Sequence, residues 1–89
     1  HDPLPPARIH PAAVVDPTAV IGEGVDIAPF AVIEAGARIG NGARIGAHSV
    51  VAQGATVGEG SRLYPRVTLG AACHVGARCI LHSGVVIGA

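Results

Sequence analysis

Every sixth residue from Ile9 onward is a branched aliphatic: Ile9, Val15, Ile21, Ile27, Ile33, Ile39, Ile45, Val51, Val57, Leu63, Leu69, Val75, Leu81 and Ile87. Four places after each of these, as far as Val85, stands a small or β-branched residue: Ala13, Ala19, Val25, Ala31, Ala37, Ala43, Ser49, Ala55, Ser61, Val67, Cys73, Cys79 and Val85. A helix repeats near 3.6 residues and a plain strand near 2, so an unbroken period of six predicts short strands separated by turns of constant length. Ala31-Val32-Ile33 reads as an in-out-in triplet and Glu34-Ala35-Gly36 as the turn after it. The outward places hold Asp26, Arg38, Arg44, Arg62 and His74, which would be costly inside, so the two faces are assigned from both directions.

Three such units per coil make a triangular prism in which each strand pairs with the strand 18 residues later, one rung of about 4.8 Å further along. The expected architecture is an all-β, parallel β-helix of a little over four coils across residues 9–89, after an irregular lead-in over residues 1–8 that contains Pro3, Pro5 and Pro6. Glycine recurs at the first and third turn places, as in Gly22-Glu23-Gly24, Gly40-Asn41-Gly42 and Gly58-Glu59-Gly60, where sharp corners favour positive φ.

Composition agrees with a narrow interior. Of the 89 residues 49% are apolar, yet there is one Phe, one Tyr and no Trp or Met, so the usual large core fillers are absent. A prism whose faces each contribute one branched and one small side chain has no room for rings. Six Arg balance six acidic residues, which disfavours a nucleic-acid or anionic-membrane binder working by bulk charge. No apolar run approaches the roughly 20 residues of a membrane helix, and no basic-then-apolar leader is visible. Cys73 and Cys79 lack the paired spacing of a zinc site and fit a reducing cytosol as buried, inert spacers.

The hexad resembles that of the hexapeptide-repeat acyltransferases, a family of left-handed parallel β-helices, over residues 9–89. The hand of the coil comes from this resemblance, since periodicity does not supply it. Within that superfamily, Ile9-His10-Pro11 through Val15-Asp16-Pro17 and Ile27-Ala28-Pro29-Phe30 through Glu34 look like the opening coils of lipid A pathway enzymes. Ser61-Arg62-Leu63-Tyr64-Pro65-Arg66-Val67-Thr68-Leu69 and Ile80-Leu81-His82-Ser83-Gly84-Val85-Val86-Ile87-Gly88-Ala89 are similar to the UDP-3-O-acylglucosamine N-acyltransferases. The resemblance implies a cytoplasmic Gram-negative enzyme, a homotrimer with active sites in clefts between prisms. It would move a 3-hydroxyacyl chain from acyl carrier protein to the 2-amino group of a UDP-linked glucosamine, with no cofactor.

That family also carries a uridine-binding domain before its β-helix and a helical segment after it. Its general-base histidine lies beyond an Asp-Gly-Phe-Gly segment expected just past Ala89. By this reading the 89 residues are an N-terminal portion of the prism, truncated at its C-terminal end, with no catalytic residue of their own. The alternatives are a non-catalytic structural or scaffold module and another hexapeptide-repeat acyltransferase.

Stacking by 18 sorts the outward residues into columns. One corner gathers His10 and Pro11, Pro29 and Phe30, His48, Tyr64 and Arg66, and His82, so both aromatics and three of the five His share an edge. His48, Tyr64, Arg66 and His82 are the candidate binding or interface residues. Beside them runs the column Val14, Val32, Val50, Thr68 and Val86, whereas the other two faces carry Arg38, His74, Asp26, Arg44 and Arg62. An exposed apolar stripe of this length marks an interface, and Val14, Val32, Val50 and Val86 are the candidate trimer contacts. No metal site is expected, because His48 and His82 stand about two coils apart and His74 lies on another face. Ranked Thr-x-Thr pairs of ice-binding β-helices are missing. The last thirty residues contain Arg62, Arg66 and Arg78 and no acid, a balance suited to an acidic carrier protein.

Overall fold

A computed structural model describes residues 3–88 and contains fourteen two-residue strands joined by turns; no helix occurs among the described residues. The strands form three parallel sheets. The first holds Arg8–Ile9, Asp26–Ile27, Arg44–Ile45, Arg62–Leu63 and Ile80–Leu81; the second holds Val14–Val15, Val32–Ile33, Val50–Val51, Thr68–Leu69 and Val86–Ile87. Val20–Ile21, Arg38–Ile39, Thr56–Val57 and His74–Val75 make the third. Each strand lies in register with the one 18 residues on, as in Val32 with Val50 and Asp26 with Arg44. The chain is therefore a three-sided β-solenoid of a little more than four coils.

The core is a column of the two residue types that the hexad alternates. Ile27, Ile33, Ile39, Ile45, Val51, Val57, Leu63 and Leu69 are buried, and between them lie Ala31, Ala37, Ala43, Ala55 and Val67. Arg38 and Arg44 point outward and are exposed, as required if the inward places are aliphatic. Two inward places are polar. Ser49 and Ser61 are wholly buried, and among the described residues no buried side-chain polar atom lacks a partner.

Glycine has two separate duties in the turns. At third places it takes left-handed backbone, with φ of 67° at Gly24, 71° at Gly42 and 67° at Gly60, as expected. First-place glycines differ from that expectation: none of Gly22, Gly40 and Gly58 has positive φ. They are required because a Cβ there would meet the next coil, 2.7 Å from the Glu59 nitrogen at Gly40 and 2.4 Å from the Gly76 carbonyl carbon at Gly58. The corner between the third and first sheets is glycine at every such place from Gly22 to Gly76, which lets its coils stack backbone on backbone. At the corner between the second and third sheets, side chains share that work. Asp16 accepts hydrogen bonds from the Thr18 hydroxyl at 2.7 Å and its backbone N–H at 2.8 Å, which hold the carboxyl below its ordinary pKa. Thr18 Oγ1 in turn accepts from the Gly36 N–H one coil on, at 3.0 Å.

Both ends of the prism depart from the sequence reading. The regular structure starts inside the expected lead-in: Arg8 already pairs with Asp26, and the Pro5 carbonyl accepts the Gly24 N–H at 2.6 Å, so Leu4 and Pro5 act as a first corner. His1 and Asp2 of the lead-in lie outside the described residues. Cys73 and Cys79 do occupy inward places but are only half-buried, as are Leu81 and Ile87, since no coil of the described residues lies over them. Their thiols are unpaired.

Two glycine substitutions separate the two duties. Gly58→Ala is expected to cost more than about 3 kcal/mol, because neither backbone can yield without parting the coils. Gly42→Ala, which meets nothing within 4 Å, should cost only about 1 to 2 kcal/mol for an alanine at positive φ. Denaturant unfolding of both variants checks the order, and equal losses would contradict it.

Candidate functional site along one corner

The corner between the first and second sheets is made by turns 10–12, 28–30, 46–48, 64–66 and 82–84. It differs from the other two in what stands at the left-handed third place: Phe30, His48 and Arg66 adopt φ of 65°, 59° and 62° on three successive coils. Each other corner has one such non-glycine residue, Ala72 and Arg78. A side chain in left-handed backbone costs on the order of 1 kcal/mol or more, so a run of three bulky ones is retained against a local penalty. Sequence patterning had placed these residues on the edge. Their backbone state was not visible in it.

The turns also bring the side chains into pairs. Phe30 and His48 stack with ring centroids 5.1 Å apart and planes 26° apart. One coil further, Tyr64 and His82 stand at 5.3 Å with planes tilted by 45°. The two pairs use different places of the turn, third for Phe30 and His48, first for Tyr64 and His82, so the candidate His48 is not joined to the candidate pair Tyr64 and His82. Tyr64 is the half-buried member, and the Arg62 guanidinium lies 4.5 Å from its ring centroid. Arg66 is exposed, and its N–H donates to the Ala47 carbonyl at 2.9 Å. At the start of the edge His10 Nδ1 accepts the Ala12 N–H at 3.0 Å.

A buried serine sets the level of Tyr64. In most turns the N–H of the inward small residue bonds the carbonyl three residues back, as from Ala31 to Ala28. At Val67 that bond is replaced by a bridge: Ser49 Oγ accepts the Val67 N–H at 3.0 Å and donates to the Tyr64 carbonyl at 2.9 Å. Ser61 repeats the device between the Cys79 N–H and the Gly76 carbonyl. Both serines fill a place the hexad reads only as small, so their role was not legible beforehand.

The valine column lies beside this edge on the second sheet. Val14, Val32, Val50, Thr68 and Val86 are in direct register, with Val14 and Val86 strongly exposed on the end coils and Val32 and Val50 half-buried. On the remaining faces the charges are partly paired. Arg8 meets Asp26 at 3.3 Å, and Arg78 meets Glu59 at 3.6 Å. The second pair corrects the view of the last thirty residues as uncompensated, because the register carries Glu59 to within reach of Arg78. No group of three His, Cys, Asp or Glu side chains converges among the described residues.

The bacterial transferase hexapeptide model, a unit of six repeats, matches residues 18–53 and again residues 54–89. The chain belongs to this hexapeptide-repeat transferase family. Its all-β, parallel coils are consistent with the left-handed β-helix of that family. A search of curated proteins gave no match. Among solved structures, a variant of GDP-perosamine N-acetyltransferase from Caulobacter crescentus, crystallised with CoA and GDP-perosamine, is 31% identical with a TM-score of 0.56. The match covers 93% of this chain and 51% of that one. A second variant of that enzyme is 30% identical with a TM-score of 0.51 over the same shares. The acetyltransferase domain of PglB from Neisseria gonorrhoeae, 23% identical with a TM-score of 0.55 over 90% of this chain and 51% of its own, shares the fold. This hexapeptide-repeat chain thus spans about half the length of the structures it matches. No helix of the described residues is long and apolar enough to cross a membrane.

Ser49→Ala is expected to destabilise the transferase-family coil by about 1 to 3 kcal/mol, since the Val67 N–H and Tyr64 carbonyl lose their common partner in a dry interior. Chemical unfolding measures the loss, and the fluorescence of Tyr64 should change with it. An unaltered midpoint would show that the turn closes its own bond without strain.

Proposed function

We propose that the chain is β-helix from an enzyme that acylates the amino group of a nucleotide-linked amino sugar, and specifically from a UDP-3-O-acylglucosamine N-acyltransferase of lipid A biosynthesis. The observation that carries the reading is the edge beside the valine column, where Tyr64 and His82 pair and Arg66 stands in the same turn as Tyr64. The residues that resemble those acyltransferases outside the hexad, Tyr64-Pro65-Arg66 and His82-Ser83-Gly84, occupy the corner rather than the coil interior, so packing of the prism does not account for them. In this proposal the acyl donor is an acyl carrier protein, the acceptor a UDP-sugar, and the compartment the bacterial cytoplasm. The general base belongs to coils outside these 89 residues, so the chain by itself transfers no acyl group.

The likeness to GDP-perosamine N-acetyltransferase favours a second reading, in which the donor is acetyl-CoA and the sugar a GDP-linked amine. The two are separated by assaying the complete gene product that contains these residues. Transfer from a 3-hydroxyacyl carrier protein to UDP-3-O-acylglucosamine supports the first, and transfer from acetyl-CoA to a nucleotide-linked amino sugar supports the second. Activity with neither pair of substrates would leave a scaffold module. Turnover by the purified 89 residues would contradict the placement of the general base.

Assembly is the second part of the proposal. The valine column supplies one continuous stripe per chain and suits a closed cyclic homotrimer with the aromatic and His edge near the clefts. Combined Val32→Lys and Val50→Lys substitution should convert trimers to monomers in sedimentation experiments, because it places unpaired charges in an apolar contact. Trimers that tolerate both lysines would place the interface on another face.

A further inference from the structure

On the first sheet the 18-residue register places two like charges on adjacent rungs. Arg62 is the direct partner of Arg44, and both are exposed on the same outward face. Like charges directly opposite each other in a sheet repel. Among the described residues neither guanidinium has an ion-pair partner, and Asp26, the neighbour of Arg44 in register, is engaged by Arg8. The two arginines flank a groove of about 330 Å³ that runs onto the corner beside Gly46, Ala47 and Tyr64; Asp26 also lines it, its carboxylate paired with Arg8.

The groove is shaped by a local contrast in turn residues. At the first place of this corner the side chains are His10, Ala28, Gly46, Tyr64 and His82, so two small residues precede two rings. Gly46 is required there, because a Cβ would lie 2.5 Å from the Pro65 nitrogen. Tyr64 forms the upper wall and holds Arg62 against its face. The result is an indentation with two permanent positive charges and one carboxylate, Asp26, that Arg8 already neutralises; one guanidinium is held by an aromatic ring and both can donate in a planar fork.

We infer that the Arg44–Arg62 groove is a binding site for a doubly charged phosphoryl anion. Two unpaired guanidiniums call for an anion of charge two or more, and forked N–H donors match phosphate oxygens in a bidentate manner. A single carboxylate would neutralise only one of them. The inference adds a phosphate subsite to the acyl-transfer proposal but stands on register and charge alone. Phosphoryl groups occur both in a nucleotide sugar and in the pantetheine arm of an acyl donor, so the ligands used in the test must distinguish them.

Tyr64 is the sole tyrosine and there is no Trp, so its fluorescence reports directly on the groove. Pyrophosphate titrated into the chain at low ionic strength, followed by that fluorescence and by calorimetry, should bind saturably. Arg44→Gln and Arg62→Gln should each weaken binding about tenfold, while Arg38→Gln on the third sheet should leave it within about twofold. Arg44→Gln should melt close to the parent temperature, since the relieved repulsion from Arg62 is offset by the lost neighbour of Asp26, and Arg62→Gln also gives up its contact with Tyr64. Tighter binding of UDP than of pyrophosphate would assign the subsite to the nucleotide sugar, tighter binding of CoA to the acyl donor, and equal binding of all three to the phosphoryl group alone. The site is refuted by absence of saturable binding, by equal weakening in Arg38→Gln, or by succinate binding as well as pyrophosphate. Because no turnover is measured, pyrophosphate binding in a protein without acyl transfer would remove the acyl-transfer proposal and leave this one intact.

Discussion

Each coil must close after 18 residues, because only then do the backbone N–H and C=O groups of one rung meet those of the next. Strands of two residues cannot hold a sheet by length, so the sheets persist through repetition: Val32 donates to the Ser49 carbonyl, Val50 to Val67, and Thr68 to Val85, all at 2.8 to 3.0 Å. Unpaired buried backbone groups are costly, and a coil of any other length would leave them facing the wrong partners. The aliphatic column, the glycine-only places at one corner and the alignment of outward side chains all follow from that closure. So does chemistry at the surface, since residues far apart in sequence become neighbours only in multiples of 18.

The coil count and the inward or outward sense of each side chain were legible in the sequence because the hexad never slips from Ile9 to Ile87. A fixed period leaves no freedom of register: a slip of one residue would turn Arg38 and Arg44 into the core and Ile39 and Ile45 out of it. The edges of the pattern were less legible. Leu4 and Pro5 break the hexad in type yet serve as a corner, since a corner needs a carbonyl in the right place and proline supplies one. Cys73 and Cys79 follow the hexad in type yet are half-buried, because burial depends on the next coil and not on the residue.

The candidate edge was legible only in part. The 18-residue spacing puts His48, Tyr64, Arg66 and His82 on one corner and the valines beside it, and in the folded chain they stand there. Whether a side chain stands at the first or third place of its turn decides which ring it meets, so Phe30 pairs with His48 and Tyr64 with His82. Left-handed backbone at Phe30, His48 and Arg66 had no signal in residue type, because glycine is the usual mark of that conformation. The bridge made by Ser49 was hidden for a similar reason: serine satisfies the steric demand of a small place, and its hydroxyl shows a purpose only once the Val67 N–H and Tyr64 carbonyl are beside it.

Hydrogen–deuterium exchange read residue by residue tests the closure most directly. In the central coils the amides of Val32, Glu34, Arg38, Gly40, Arg44, Gly46, Val50 and Ala52 donate to the next coil and should exchange slowly. The amides at the middle of the turns, Ala35, Asn41, Ala47 and Glu59, should exchange fast, giving protection that rises and falls with a period of six. Protection without that period, or fast exchange throughout residues 32–52, would contradict a structure held by coil-to-coil pairing at 18 residues.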